Sequence, residues 1–178
     1  MAIDTRYSTS KEAFNRMDTQ ELRTEFLVEQ VFKADAVTAV YSHIDRIVTM
    51  GAMPVNEKLD VAKNIDPMKD FGVNYFLERR ELGIINIGGD GVVEVDGTPY
   101  IVRHYDAIYI PMGTKKVILS STDKNNSARF YMNSTPAHHA FPLKLITYED
   151  AKHLHMGSFD QSNERTINQY IHPDVLET

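Results

Sequence analysis

From residue 26 onward the chain is a succession of short runs rich in Val, Ile, Tyr and Phe: "FLVEQVF", "VTAVYSHIDRIVTM", "VNYFLERREL", "GIINIG", "GVVEVDGTPYIV", "DAIYIPM", "KKVILSS" and "ARFYMNS". Gly, Pro, Asn and Asp divide them at intervals of about eight to twelve residues, and no 10 to 15-residue helical pattern alternates with them. That spacing favours an all-β sandwich or jelly-roll barrel over a parallel α/β sheet. The strongest local signal is Asp96-Gly97, set between two β-rich runs, where both residues accept the positive φ of a tight hairpin turn. A second turn is expected at "TDKNNSA", residues 122–128.

The flanks read differently. Residues 1–25 are predicted to form an arm and a short helix, because Asp18 followed by Glu21 is a capping box and Leu22 and Phe26 lie one turn apart. The barrel is expected over 26–140, and 141–178 as an extended carboxy-terminal arm or linker with one helical turn at "TYEDAKHLH". At 178 residues, one domain with arms is the expectation. The net charge of −6 argues against a nucleic-acid surface, which needs clustered Lys and Arg. With no Cys, the strong metal ligands available are His and carboxylates. Neither a leader-like apolar segment nor a membrane-length apolar run is present, so a cytoplasmic protein with no membrane partner is expected.

One stretch concentrates charge inside a run read as a strand: Glu78-Arg79-Arg80-Glu81. Glu81, with six residues between it and Gly88, and Pro111-Met112-Gly113 keep the spacing of the two motifs of the cupins, a jelly-roll family with a His/Glu metal site. The chain resembles that family in spacing but not in ligands. The first-motif histidines would fall among Asn74, Tyr75, Phe76 and Leu77, and the second-motif histidine near Lys116. A protonated lysine has no lone pair to donate, so no metal is expected in this barrel. Strand alternation would place Arg79 and Glu81 on one face and Glu78 and Arg80 on the other. If Glu81 points inward, Arg79 either neutralises it structurally or clamps a substrate carboxylate.

Among the histidines, His43 shares a predicted strand face with Tyr41 and Asp45. It is either a hydrogen-bonded sheet residue or an acid/base oriented by Asp45. His153 and His155 are read as a surface pair, His138-His139 as loop residues, and His104-Tyr105 as loop surface. Candidate catalytic residues are therefore Arg79, Glu81 and His43, and candidate substrate-binding residues Arg79 and Arg80.

"TEFLVEQVF", "VYSHIDRIV", "YFLERRELGIINIGG", "VDGTPY", "DAIYIPMG", "ERTINQY" and "PDVLET" together resemble the amino-terminal half of the 5-keto-4-deoxyuronate isomerases. The resemblance implies a bicupin, zinc-dependent ketol-isomerase of pectin and uronate degradation. Such an enzyme converts 5-dehydro-4-deoxy-D-glucuronate to 3-deoxy-D-glycero-2,5-hexodiulosonate, as a cytoplasmic homo-hexamer. It also implies that the zinc ligands, three His and one Glu, lie in a second cupin beyond "PDVLET", so that zinc is expected outside this chain. A non-catalytic sugar-acid-binding or oligomerisation module is the alternative expectation.

Overall fold

In the computed structural model, which describes residues 3–176, two antiparallel-rich sheets face each other across one core. Met1, Ala2, Glu177 and Thr178, assigned above to the two arms, lie outside the described residues. In chain order the strands are β1 (Asp4–Arg6), β2 (Val37–Ser42), β3 (Ile47–Ala52), β4 (Leu59–Asp60), β5 (Arg80–Asn86), β6 (Gly91–Val95) and β7 (Thr98–Val102). β8 (Ala107–Ile110), β9 (Val117–Ser121), β10 (Phe130–Pro136), β11 (Lys144–Ile146), β12 (Lys152–Met156) and β13 (Arg165–Gln169) complete them. The helices are α1 (Lys11–Phe14), α2 (Thr19–Phe26) and α3 (Pro67–Phe71). A seven-stranded sheet runs β1-β2-β3-β10-β5-β8-β11 and a four-stranded sheet β4-β9-β6-β7. The fold is the all-β, cupin-like one expected. β1 and β11 come from the two flanking segments and form the outer strands of the large sheet.

Period-two alternation builds the core. Val48 and Met50 of β3, Leu82 and Ile84 of β5, and Phe130 and Met132 of β10 are at most 2% exposed. They meet Val93 of β6, Val117 and Leu119 of β9 and Val102 of β7 in a single cluster. Each such side chain contributes about 1.5–3 kcal/mol by leaving water. The predicted hairpin is present: Asp96 and Gly97 have φ of 46° and 87°, and Val95 pairs with Thr98. Pro99 is tolerated because β7 is an edge strand. The capping box of α2 is also present, with Asp18 and Glu21 bonded reciprocally.

Three local readings are corrected. "FLVEQVF" is not a strand: the Val31 carbonyl accepts from the Thr38 hydroxyl and lies over Gly51, where any Cβ would collide with it, so the segment crosses the sheet. "VTAVYSHIDRIVTM" is two strands, β2 and β3, joined by a turn over 43–46 with Arg46 at φ 55°. "VNYFLERREL" becomes a strand only at Arg80. Upstream, Asp66 caps α3, Pro67 opens it, and Gly72 at φ 67° ends it. Val73, Phe76 and Leu77 are buried from the turns that follow.

The late start of β5 decides where the charge goes. Arg80, Leu82, Ile84 and Asn86 face the core, and Glu81, Gly83 and Ile85 face outward. Arg80, not Arg79, is therefore the enclosed cation, at 4% exposure. Its Nη2 donates to the carbonyls of Arg46 (2.6 Å) and Ser134 (2.7 Å), and its Nε to the Ser134 hydroxyl (3.2 Å). The guanidinium lies over the rings of Phe71 (4.9 Å) and Tyr41 (5.7 Å), which replace part of its lost hydration. No carboxylate of the described residues pairs with it. Desolvation pulls it down to about 10, well above neutral pH, so it stays charged. One side chain thus ties the β2–β3 turn, β10 and α3 together.

Arg80→Ala removes the donors of one buried and one part-buried carbonyl and the packing of two rings, and is expected to cost about 2–4 kcal/mol in equilibrium unfolding. Arg80→Lys should recover little, lacking the planar fork. Arg79→Ala, at an exposed position, should change stability by no more than about 0.5 kcal/mol.

Candidate functional site

The charged block does not converge on one site. Glu78 turns back, its carboxylate accepting from the Asn74 backbone N–H (2.5 Å) and side-chain amide (3.1 and 3.2 Å), which lowers its pKa. Arg79 is exposed, Arg80 is in the core, and Glu81 lies on the outer face of the large sheet. The expectation that Glu81 points into the barrel with Arg79 beside it is overturned, because the strand begins one residue after Arg79 and its parity turns Arg80 inward.

Glu81 instead stands in a groove of about 260 Å³. Register puts Glu81 opposite Thr135, Gly83 opposite Asn133, and Ile85 opposite Tyr131, so these residues share one face. On the next strand, β8, Tyr109 lies opposite Gly83. Its hydroxyl donates to Glu81 Oε2 at 2.8 Å, and Thr135 Oγ1 approaches Oε1 at 3.4 Å. Tyr170 and Ile171 of the carboxy-terminal segment form the opposite wall. Tyr109, Ile146 and Leu176 make a small second cluster beside it. The groove is apolar with one carboxylate, a setting that accepts hydroxyl or cationic groups and repels a sugar acid's carboxylate. The sequence reading missed Tyr109, Thr135 and Tyr131, whose convergence depends on strand register between segments far apart in the chain.

His43 is not a strand residue and is not oriented by Asp45, since both belong to the turn. Its ring packs between Tyr7 (4.6 Å) and Tyr41 (4.5 Å), next to the aromatic cage of Arg80. His153 and His155 lie on a strand and are exposed, bonded through Nδ1 to Asn168 (2.8 Å) and Thr166 (3.1 Å). The helical turn read at "TYEDAKHLH" is a turn at 148–150 followed by this strand.

The zinc implied by the resemblance can be tested against the donor set. Phe76 and Leu77 are 4% and 3% exposed in the core, Lys116 is exposed and offers its backbone N–H to Asp96, and Glu81 faces away from the barrel interior. Among the described residues no three His, Asp or Glu are grouped to hold a metal ion. These residues do not fit zinc.

Burial first, then the hydrogen bond and charge of Glu81, push the Tyr109 phenol far above its ordinary value of about 10. Burial first, then Tyr148 and Asp106, push Tyr170 to about 12. A phenol raised in the folded state contributes stability that is full below about pH 10 and is lost as pH rises toward the folded value. Phenolate absorbance should show two of the nine tyrosines ionising last. The melting temperature should fall above about pH 10, less steeply in Tyr109→Phe.

Residues 27–178 match the model of the KduI/IolB family. A 4-deoxy-L-threo-5-hexosulose-uronate ketol-isomerase of Escherichia coli O9:H4 (strain HS) is 48% identical over 176 residues, covering 99% of this chain and 63% of that protein. The similarly named protein of Escherichia coli O139:H28 (strain E24377A / ETEC) is 49% identical over the same shares. An IolB-like protein of Salmonella typhimurium LT2 shares the fold, with a TM-score of 0.54 and 13% identity over 74% of this chain and 47% of that one. The chain spans 63% of the length of the curated relatives it matches. On the strength of the family match and this identity, the chain belongs to the KduI/IolB family.

Proposed function

We propose that this chain is the amino-terminal, non-catalytic part of a ketol-isomerase acting on 4-deoxy-L-threo-5-hexosulose uronate. It serves as scaffold and assembly surface for a catalytic part supplied by the remaining length of the relatives. The observation that carries this reading is 48% identity over 99% of the chain to proteins bearing that name. The site supports the division of labour. Aldose-ketose interconversion moves a proton between adjacent carbons and requires a group that holds the developing oxyanion. Here Arg80, the enclosed cation among the described residues, has its Nε and Nη2 committed to backbone carbonyls and Ser134, and the groove presents a carboxylate.

In this proposal the zinc of the family is bound outside the chain, the substrate is a keto-uronate, and the protein is a cytoplasmic homo-oligomer, a hexamer by resemblance. No helix of the described residues is long and apolar enough to cross a membrane. The alternative, an oligomerisation module without catalysis, is favoured by a solvent-exposed hairpin, described below.

The test is an isomerase assay of the purified 178-residue chain with zinc and the keto-uronate, beside a full-length relative. No turnover above the uncatalysed reaction is expected from the chain alone. Turnover at the relative's rate would place catalysis within these residues and overturn the proposal.

A further inference from the structure

β12 and β13 pair with each other and with no other strand. A two-stranded hairpin is at best marginally stable in water and needs a surface to cover one of its faces. The register places Met156 opposite Arg165, Leu154 opposite Ile167, and Lys152 opposite Gln169, all on one face. His153, His155, Thr166 and Asn168 form the other face, which satisfies itself through the cross-strand histidine bonds. The first face has no such closure: Leu154, Met156 and Ile167 are 38–42% exposed, and Phe159 beyond β12 is 85% exposed. Two cations frame it, Lys152, paired with Asp174, and Arg165, which donates to the Asn163 carbonyl.

The complement of this face lies on the same chain. The Glu81 groove is apolar, and its carboxylate has no cationic partner among the described residues. Its outer wall, Ile171, is 62% exposed. Asp106 and Glu149 add negative potential at that wall, felt by Tyr170. The hairpin springs from the groove's own edge, since Tyr170 directly follows β13. Because hairpin and groove lie on the same chain, their mutual docking about a two-fold axis is a self-complementary, isologous contact.

We propose that a second copy of this chain covers the hairpin. The Leu154–Met156–Ile167 face of one copy docks on the Glu81 groove of the other, with Arg165 approaching Glu81. This deepens the assembly role proposed above. It is read by mass rather than by turnover, so its failure and that of the isomerase reading are distinguishable.

Sedimentation and light scattering of the 178-residue chain provide the test. The wild-type chain is expected to assemble, and Leu154→Asp/Ile167→Asp to have half its mass, down to 20.3 kDa if the assembly is a dimer, with unchanged circular dichroism. Glu81→Lys or Arg165→Glu should each weaken association ~tenfold or more, and the two together in one chain should restore it. If Glu81→Lys lowers the melting temperature, Arg165→Glu, on the exposed hairpin, carries the charge test alone. A wild-type chain that stays at 20.3 kDa at the highest attainable concentration would overturn the proposal, as would a Leu154/Ile167 variant of wild-type mass. Failure of the paired reversal to restore association, with both single variants folded, would overturn the groove as the docking site.

Discussion

The Arg80 guanidinium is the contact on which the rest of the structure depends. It sits at the entry of β5, an interior strand of the large sheet, and takes up the carbonyls of Arg46 and Ser134. A charge there without a carboxylate is tolerated because three donations and two aromatic faces stand in for water. The arrangement couples elements distant in sequence: the turn after β2, the strand β10 and the helix α3.

Because a strand alternates strictly, fixing Arg80 inward also fixes Glu81 outward. The same constraint therefore creates the groove. Glu81 becomes its polar point, held by Tyr109, and the segment from Tyr170 to Leu176 closes one wall. A charged block that resembles an active site in one dimension is divided by the sheet between a structural post and an exterior surface. The exterior surface is where assembly, rather than chemistry, would be expected.

Much of this fold was legible. The alternating runs, the Asp96-Gly97 turn and the Asp18/Glu21 capping box are local signals whose physics needs no distant partner. The start of β5 was less visible, although "DPMKDFG" carries a cap, an N1 proline and a left-handed glycine that together stop a strand from forming across Asn74 to Arg79. The missed helix and the turns after it take Arg79 out of the strand, and the packing of Leu82 and Ile84 into the core sets Arg80 inward and Glu81 outward. Gly88, which entered the sequence reading only as the end of a motif spacing, is a place of close approach, where a Cβ would collide with the 127–129 backbone. Spacing alone could not say which way Glu81 faces, and the Tyr109–Glu81 contact depends on a register set between β5 and β8. The hairpin β12–β13 was read as an extended arm because its apolar residues, Leu154, Met156 and Ile167, are few; in the structure they stay 38–42% exposed among the described residues.

Hydrogen exchange of the arginine side chains by NMR addresses the Arg80 frame most directly. Solvent-exposed guanidinium Nε–H groups exchange fast at neutral pH. If Arg80 is the enclosed post of the fold, one arginine Nε–H will exchange only through global unfolding, in step with the most protected amides of β5 and β10, and its signal will vanish in Arg80→Lys. If every arginine Nε–H exchanges at the solvent rate in the folded protein, or if the protected signal belongs to Arg79, the frame described here is wrong.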